Sequence, residues 1–170
     1  MKIVERIKKE AKLGDILLTF NRENLLSGAI SDVADTDYSH SLIIYKHGKI
    51  IESAQSGVAV DELDKYLDYE KYYLSLRRPP LTEAQIKEFI KYCESKLGIT
   101  YGYWQLFYLW FLYIFKLRND KRYNNVDLPG IICSELIAGG QKHVGWYPYG
   151  DICPANVIPG NLAEHLPVIV

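Results

Sequence analysis

Cysteine is scarce in this chain, and neither sign of charge is in excess. Three cysteines, Cys93, Cys133 and Cys153, lie far apart among 170 residues. An odd and widely spaced set argues against a disulfide framework and against a CxxC metal-binding pair. Twenty Lys and Arg balance 21 Asp and Glu, so the formal net charge is −1. Because nucleic-acid binders usually carry a clear basic excess, no nucleic-acid partner is expected. The three thiols are therefore either buried or include one reactive group.

Long hydrophobic runs are also lacking. The longest one, residues 103–115, is interrupted by Gln105 and is shorter than the roughly 20 residues that cross a bilayer. Residues 1–12 contain no apolar stretch of a secretory signal, so a cytoplasmic location is expected. No linker-like segment or repeat divides the chain. The sequence therefore predicts a single domain over residues 1–170, with its core at about 14–158.

Short apolar runs mark the strands of this domain. We predict strands at residues 16–20, 39–45, 50–53 and 72–76, and another through Val58 and Val60. The second and third runs flank a Gly-containing turn and therefore form a hairpin.

Besides a helix that begins near Cys133, the sequence predicts two long helices and one short helix. The short helix covers residues 23–33, and one of the long helices covers residues 104–117. The other begins near Thr82, because Thr82 and Gln85 fit a capping box. It places Cys93 on its apolar face, as expected of a buried cysteine.

Cys133 has the surroundings that a reactive thiol needs. It follows the turn signal Pro129-Gly130 and precedes a helical segment, which places the sulfur at a helix N-terminus. There the unpaired N–H groups and the positive end of the helix dipole lower the pKa of a thiol. The same N–H groups can stabilise an oxyanion. The alternative is a structural cysteine at a buried turn.

A histidine and a carboxylate on the predicted hairpin could complete a catalytic set. His40 begins the first strand of the hairpin, and Glu52 lies near the end of the second. A carboxylate beside an imidazole fixes its tautomer and stabilises its protonated form. The two residues share a face only if the hairpin loop holds an odd number of residues, and Gln55 is the alternative orienting residue. A structural histidine and a solvated carboxylate are the other interpretations.

The order of these motifs resembles a known family. The chain carries Gly14-Asp15-Ile16-Leu17, then Tyr38-Ser39-His40, Ile51-Glu52-Ser53-Ala54 and Cys133-Ser134-Glu135-Leu136. The last of these motifs is a Cys153-Pro154 turn. This order resembles the circularly permuted NlpC-like branch of the papain-fold cysteine amidases, of the YiiX/YaeF type. In this branch the histidine precedes the nucleophile.

The resemblance implies an α+β fold in which a papain-like antiparallel sheet packs against helices. It implies Cys133 as nucleophile, His40 as base and Glu52 as the orienting residue, with Tyr38 on the substrate side. The expected reaction is hydrolysis of an amide, in a peptide or a cell-wall-type substrate. The resemblance implies no metal and no organic cofactor, and the sequence offers no zinc-ligand spacing.

The aromatic run leaves the substrate class open. Trp104, Phe107, Trp110 and Phe111 lie in this run, and four basic residues follow between positions 116 and 122. The run could be buried on every side, contact a membrane or an acyl chain, or contact another protein. The second reading gives a lipid-directed thiol acyl hydrolase or acyltransferase as an alternative function. A further alternative is a non-catalytic binding module with a buried Cys133.

Overall fold

The computed structural model describes residues 3–23, 37–46, 48–115, 117, 126 and 128–170. Within these residues, five strands form one antiparallel sheet in the order β4-β3-β2-β1-β5. The strands are β1 (Ile16–Asn21), β2 (His40–Ile44), β3 (Lys49–Ala54), β4 (Gly57–Glu62) and β5 (Tyr72–Arg77). The predicted strands and the β2–β3 hairpin are confirmed.

The helices of the described residues follow mainly after the strands. They are α1 (Ile3–Glu10), α2 (Glu83–Ser95), α3 (Tyr103–Ile114), α4 (Cys133–His143) and α5 (Pro159–His165), with short 3₁₀ helices at Leu63–Tyr66 and Pro154–Asn156. Strands and helices in largely separate stretches make an α+β protein, which confirms the expected fold class at this level. The short helix predicted at 23–33 lies, beyond residue 23, outside the described residues.

Both faces of the sheet are buried, because successive side chains of a strand point to opposite sides. Leu18, Ile43 and Ile51 face α2 and α4, where they pack with Phe89 and Leu136. The opposite face packs against α1 and the 3₁₀ helix at Leu63–Tyr66, through Leu17, Leu42, Ile44, Ile50, Ile7 and Leu63. The sheet is therefore the central layer of the molecule.

Helix α2 begins as its sequence predicts. The Gln85 N–H donates to Thr82 Oγ1 at 3.3 Å, and Gln85 Oε1 accepts from the Thr82 N–H at 3.0 Å. Cys93 is fully buried on this helix. Helix α4 lies so close that a Cβ on Gly140 would be 2.6 Å from the Phe89 ring. The pair α2–α4 thus forms one rigid layer on the sheet.

Helix α3 is not buried on every side, so the interpretation of the aromatic run as a fully buried helix is wrong. Its exposed fractions are 70% for Trp104, 56% for Phe107, 44% for Trp110 and 40% for Phe111. Leu109 and Leu112 face the rest of the protein. None of the described helices has the length and apolar character needed to cross a membrane. The result is an exposed aromatic face on a short helix.

Candidate active site

The β2–β3 hairpin brings His40 and Glu52 to the same side of the sheet. Ile43 pairs with Ile51, and the Tyr45 N–H donates to the Lys49 carbonyl at 2.9 Å. The loop therefore spans residues 46–48, an odd number, which is the register that unites the two side chains. His40 Nε2 donates to Glu52 Oε2 at 2.6 Å. Gln55, the alternative orienting residue, is exposed, and its carbonyl accepts a hydrogen bond from Tyr103.

The segment before α4 crosses close to the segment before α3. Gly130 has φ +96°, and a Cβ there would lie 2.7 Å from Gly102 Cα, so both steric demands favour glycine. Ile131 then forms a parallel bridge with Tyr101, and its carbonyl accepts from Ser53 Oγ at 2.5 Å. These contacts fix the entry of the chain into α4 against β3.

Cys133 is the first residue of α4, as the sequence predicts. Glu135 completes the start of the helix by accepting from the Ile132 N–H at 3.2 Å, and Ser134 Oγ donates to the Val157 carbonyl at 2.6 Å. The Cys133 residue is only 6% exposed. The unpaired N–H groups and the dipole of the first turn favour a negative charge at the sulfur.

Cys133 and His40 form an ionisable pair. Burial opposes a charge on the thiol, but the adjacent His40, and Ser41 to a smaller extent, lower the pKa of Cys133 below its usual value. Burial likewise opposes the charged imidazole, but Cys133 and Glu52 raise the pKa of His40 to about 10. Since Nε2 is bound to Glu52, Nδ1 is the ring nitrogen available to the thiol. The arrangement favours a thiolate and an imidazolium.

Glu52 is buried and surrounded by hydrogen-bond donors. Besides His40, Tyr66 donates its hydroxyl to Oε2 at 2.5 Å, and Lys65 Nζ donates to Oε1 at 3.1 Å. Burial opposes the charge, but these partners, His40 foremost, lower the pKa of Glu52 to about 2. Burial and the Glu52 charge raise the pKa of Tyr66, which therefore stays a hydroxyl donor. Glu52 is therefore an anion at neutral pH.

Three neighbours of the site were not found from the sequence. Lys65 and Tyr66 reach Glu52 from the 3₁₀ helix between β4 and β5, which gives no spacing signal relative to Glu52. Burial raises the pKa of Tyr101, and the charge of the nearby Cys133 thiolate raises it further. Tyr101 lies two residues before the aromatic run of residues 103–115, and this position is the sequence signal that could have found it.

Tyr38 is more deeply buried than a side chain that contacts substrate needs to be. It is 6% exposed, its hydroxyl accepts from Arg77 Nη2 at 3.3 Å, and its ring lies 5.7 Å from the Tyr73 ring. These contacts place Tyr38 in the packing beside the start of β2. Its role in binding substrate stays a prediction.

The other two thiols lie in different surroundings. Cys93 is buried in α2, and burial raises the pKa of its thiol. Cys153 is half-buried and precedes the 3₁₀ helix at Pro154–Asn156. Of the three cysteines, Cys133 is the one beside a histidine–carboxylate pair. Searched over the described residues alone, His, Cys, Asp and Glu form no group of three or more that could hold a metal ion.

Comparison with known proteins supports the fold. No protein-family model matches this chain, and no curated protein matches it. Among solved structures, the chain is similar to the metalloprotein yiiX from Escherichia coli O157:H7, with a TM-score of 0.54 and 18% identity. The match covers 78% of this chain and 66% of that one, so this chain spans just under two thirds of yiiX. At this identity the similarity concerns the fold.

Proposed function

We propose that this protein is a cysteine hydrolase of the permuted papain-like type that cleaves an amide bond. The observation that carries the proposal is the 2.6 Å hydrogen bond from His40 to Glu52, with Cys133 as the other partner of the same imidazole. A nucleophile, a base and an orienting carboxylate in this order define a catalytic triad by their roles. The fold similarity to yiiX and the order of the motifs support the same assignment.

The reaction then follows from the protonation states of the pair. The Cys133 thiolate attacks the carbonyl carbon and forms a C–S bond, while the carbonyl electrons move to oxygen. The Cys133 N–H at the start of α4 donates to this oxyanion. His40 passes its proton to the leaving nitrogen as the C–N bond breaks, which leaves a thioester and a neutral imidazole. His40 then takes a proton from water, and the resulting hydroxide releases the acid and regenerates the thiolate.

The resemblance of the motifs favours a peptide or a cell-wall-type amide as substrate. The name of yiiX calls that protein a metalloprotein. In this chain, the described part brings together no set of His, Cys, Asp and Glu that fits a metal ion. His40 Nε2 and both Glu52 oxygens already have protein partners. The proposed steps use the side chains of Cys133 and His40, the Cys133 N–H and water.

Turnover of p-nitrophenyl acetate, an activated acyl donor, tests the proposal. We expect the wild type to release p-nitrophenol catalytically and Cys133→Ala to lose this activity. His40→Ala should lower the rate about 100-fold or more, since general acid–base catalysis contributes at least that factor. Cys93→Ser and Cys153→Ser are the matched controls and should retain the rate.

Equal rates for the wild type and Cys133→Ala would overturn the hydrolase and favour a non-catalytic binding module. A panel of peptide amides and cell-wall fragments then defines the leaving group. Release of an amine from one of them, lost in Cys133→Ala, is the expected result for the proposed substrate class.

A lipid-directed acyl hydrolase or acyltransferase is the second candidate, and the exposed face of α3 favours it. Trp104 and Phe107 are 70% and 56% exposed, although they belong to a helix with strongly apolar composition. The same helix packs through Leu109 on Ile132, the residue before Cys133. A membrane that covers this face would therefore contact the helix that packs beside the segment leading to Cys133. Tryptophan is well suited to the membrane–water interface.

Co-sedimentation with vesicles of phosphatidylcholine and phosphatidylglycerol separates the two candidates. A lipid-directed enzyme should sediment with them and lose binding in the double variant Trp104→Ala/Phe107→Ala. Tyr69→Ala is the control, because Tyr69 is exposed to 44% but lies far from α3 in the sequence. Absence of wild-type binding at low salt would count against the lipid candidate. The four basic residues between 116 and 122 lie outside the described residues.

A further inference from the structure

Ser41 follows His40 in β2 and faces α4. Its side chain points to the same side of the sheet as that of Ile43, which packs in one cluster with Leu136 and Ile137 of α4. Only 1% of Ser41 is exposed. Ser41 is thus buried between the strand that carries the base and the helix that carries the nucleophile.

The backbone N–H of Ser41 points away from β1. Ile44 exchanges hydrogen bonds with the chain before β1, since its N–H donates to the Asp15 carbonyl at 2.8 Å and its carbonyl accepts from Gly14 at 2.9 Å. Alternation along the strand directs the N–H groups of Ser41, Ile43 and Tyr45 toward β3. Tyr45 confirms this direction with its hydrogen bond to Lys49.

Strand β3 does not pair with Ser41. Among the described residues, the β2–β3 register ends at Ile43↔Ile51, and Ile43 lies two residues after Ser41 in the chain. The chain that enters α4 lies at this opening, because Ser53 of β3 donates its hydroxyl to the Ile131 carbonyl. Cys133 follows two residues later. At the opening, its sulfur meets both His40 and Ser41.

The hydroxyl of Ser41 is an exception among the buried serines of the described residues. Ser53, Ser75 and Ser134 each donate to a backbone carbonyl. Ser41 Oγ has no hydrogen-bond partner of ordinary geometry within the described part of the chain. A buried hydroxyl without a partner is costly, so such a group calls for an explanation. The ionisable group beside Ser41 is the Cys133 thiol.

We propose that Ser41 is a positioning residue that holds the Cys133 sulfur as a thiolate by donating both its hydroxyl and its backbone N–H. The inference rests on the proposed function, because Cys133 has to be the nucleophile. Hydrogen bonds to an anion are strong, and a buried sulfur has no water to supply them. Ser41 therefore stabilises the charge together with His40, and it loses this partner when the sulfur becomes part of a neutral thioester.

Alkylation of Cys133 by iodoacetamide between pH 4 and 10, followed by peptide mass spectrometry, tests the inference. In Ser41→Ala the midpoint of the pH–rate curve should rise by about one unit, which slows alkylation roughly tenfold at any pH below both midpoints. Ser75→Ala removes another buried serine hydroxyl and should keep the wild-type midpoint. Ser41→Thr retains the hydroxyl and should stay within about threefold of the wild-type rate.

Thermal unfolding followed by circular dichroism establishes that each variant is folded at the assay temperature. A Ser41→Ala midpoint equal to that of the wild type overturns the inference while the proposed function stands. If Ser41→Ala does not fold, Ser41→Thr decides, and a midpoint that rises by about one unit although the hydroxyl is retained overturns the inference. Wild-type Cys133 that reacts no faster than Cys93 and Cys153 would overturn the proposed function as well.

Discussion

Glu52 determines the charge state of the site at the scale of single residues. Three donors, from His40, Tyr66 and Lys65, reach its two oxygens at 2.5 to 3.1 Å. Its side chain is 2% exposed, so water contributes little to its stabilisation. Two of the three donors come from adjacent positions in the 3₁₀ helix at Leu63–Tyr66. A short turn therefore keeps the carboxylate charged and oriented toward the imidazole.

Acid should destabilise the protein through Glu52. The folded-state pKa of about 2 lies below the ordinary value of 4.5, so the contribution of Glu52 is fully present above pH 4.5 and is lost as the pH falls through about 2. The free energy of unfolding, measured with urea, should decrease over this window by an amount on the order of 3 kcal/mol. Glu52→Gln has no carboxylate to titrate and should show a flatter dependence. Parallel curves for the two proteins would contradict this role.

Removal of the Tyr66 hydroxyl should affect catalysis through Glu52. Tyr66→Phe deletes the 2.5 Å hydrogen bond but keeps the ring, so Glu52 holds His40 less rigidly and its pKa rises. We expect kcat with p-nitrophenyl acetate to fall about tenfold with KM nearly unchanged. Tyr72→Phe is the matched control, since the Tyr72 ring lies 5.3 Å from that of Tyr66. Equal kcat values for Tyr66→Phe and Tyr72→Phe would contradict the role of the Tyr66 hydroxyl.

Close packing between two helices holds the nucleophile in place at the scale of elements. Helix α4 presents two consecutive glycines to α2, where added Cβ atoms would lie 2.5 Å from the Tyr92 hydroxyl and 2.6 Å from the Phe89 ring. Because these two positions have no side chain, α4 packs in direct contact with α2. The position of Cys133 thus depends on residues six and seven positions away in its helix.

Gly140→Ala should destabilise the protein although alanine favours helices. The helix propensity gain is at most about 1 kcal/mol, whereas overpacking a tight core costs about 1 to 3 kcal/mol. Phe89 is fully buried, so its ring cannot move into solvent to relieve the contact. A net loss of about 1 kcal/mol in urea unfolding is expected. Ala84→Gly, in the exposed first turn of α2, measures the propensity effect alone, and an equally or more stable Gly140→Ala would refute the packing argument.

At the scale of the whole molecule, the candidate site combines segments that are far apart in sequence. The sequence predicted the local parts, because the start of α2 depends on Thr82 and Gln85, and the start of α4 on the turn before Cys133. Whether His40 and Glu52 share a face of the sheet depends on the number of residues in the hairpin loop, which the sequence alone does not fix. Lys65 and Tyr66 were out of reach because their contact with Glu52 depends on how the chain turns after β4. The exposure of α3 was equally hidden, since its composition fits a buried helix.

The central claim is that Cys133 and His40 form a thiolate–imidazolium pair. The thiolate absorbance at 240 nm, titrated in the wild type and corrected with Cys133→Ser, measures the pKa of Cys133 directly. The structure leads us to expect a midpoint below the ordinary value of 9.0, and a clear rise of this midpoint in His40→Ala. A wild-type midpoint at or above 9.0, unchanged in His40→Ala, would contradict the claim.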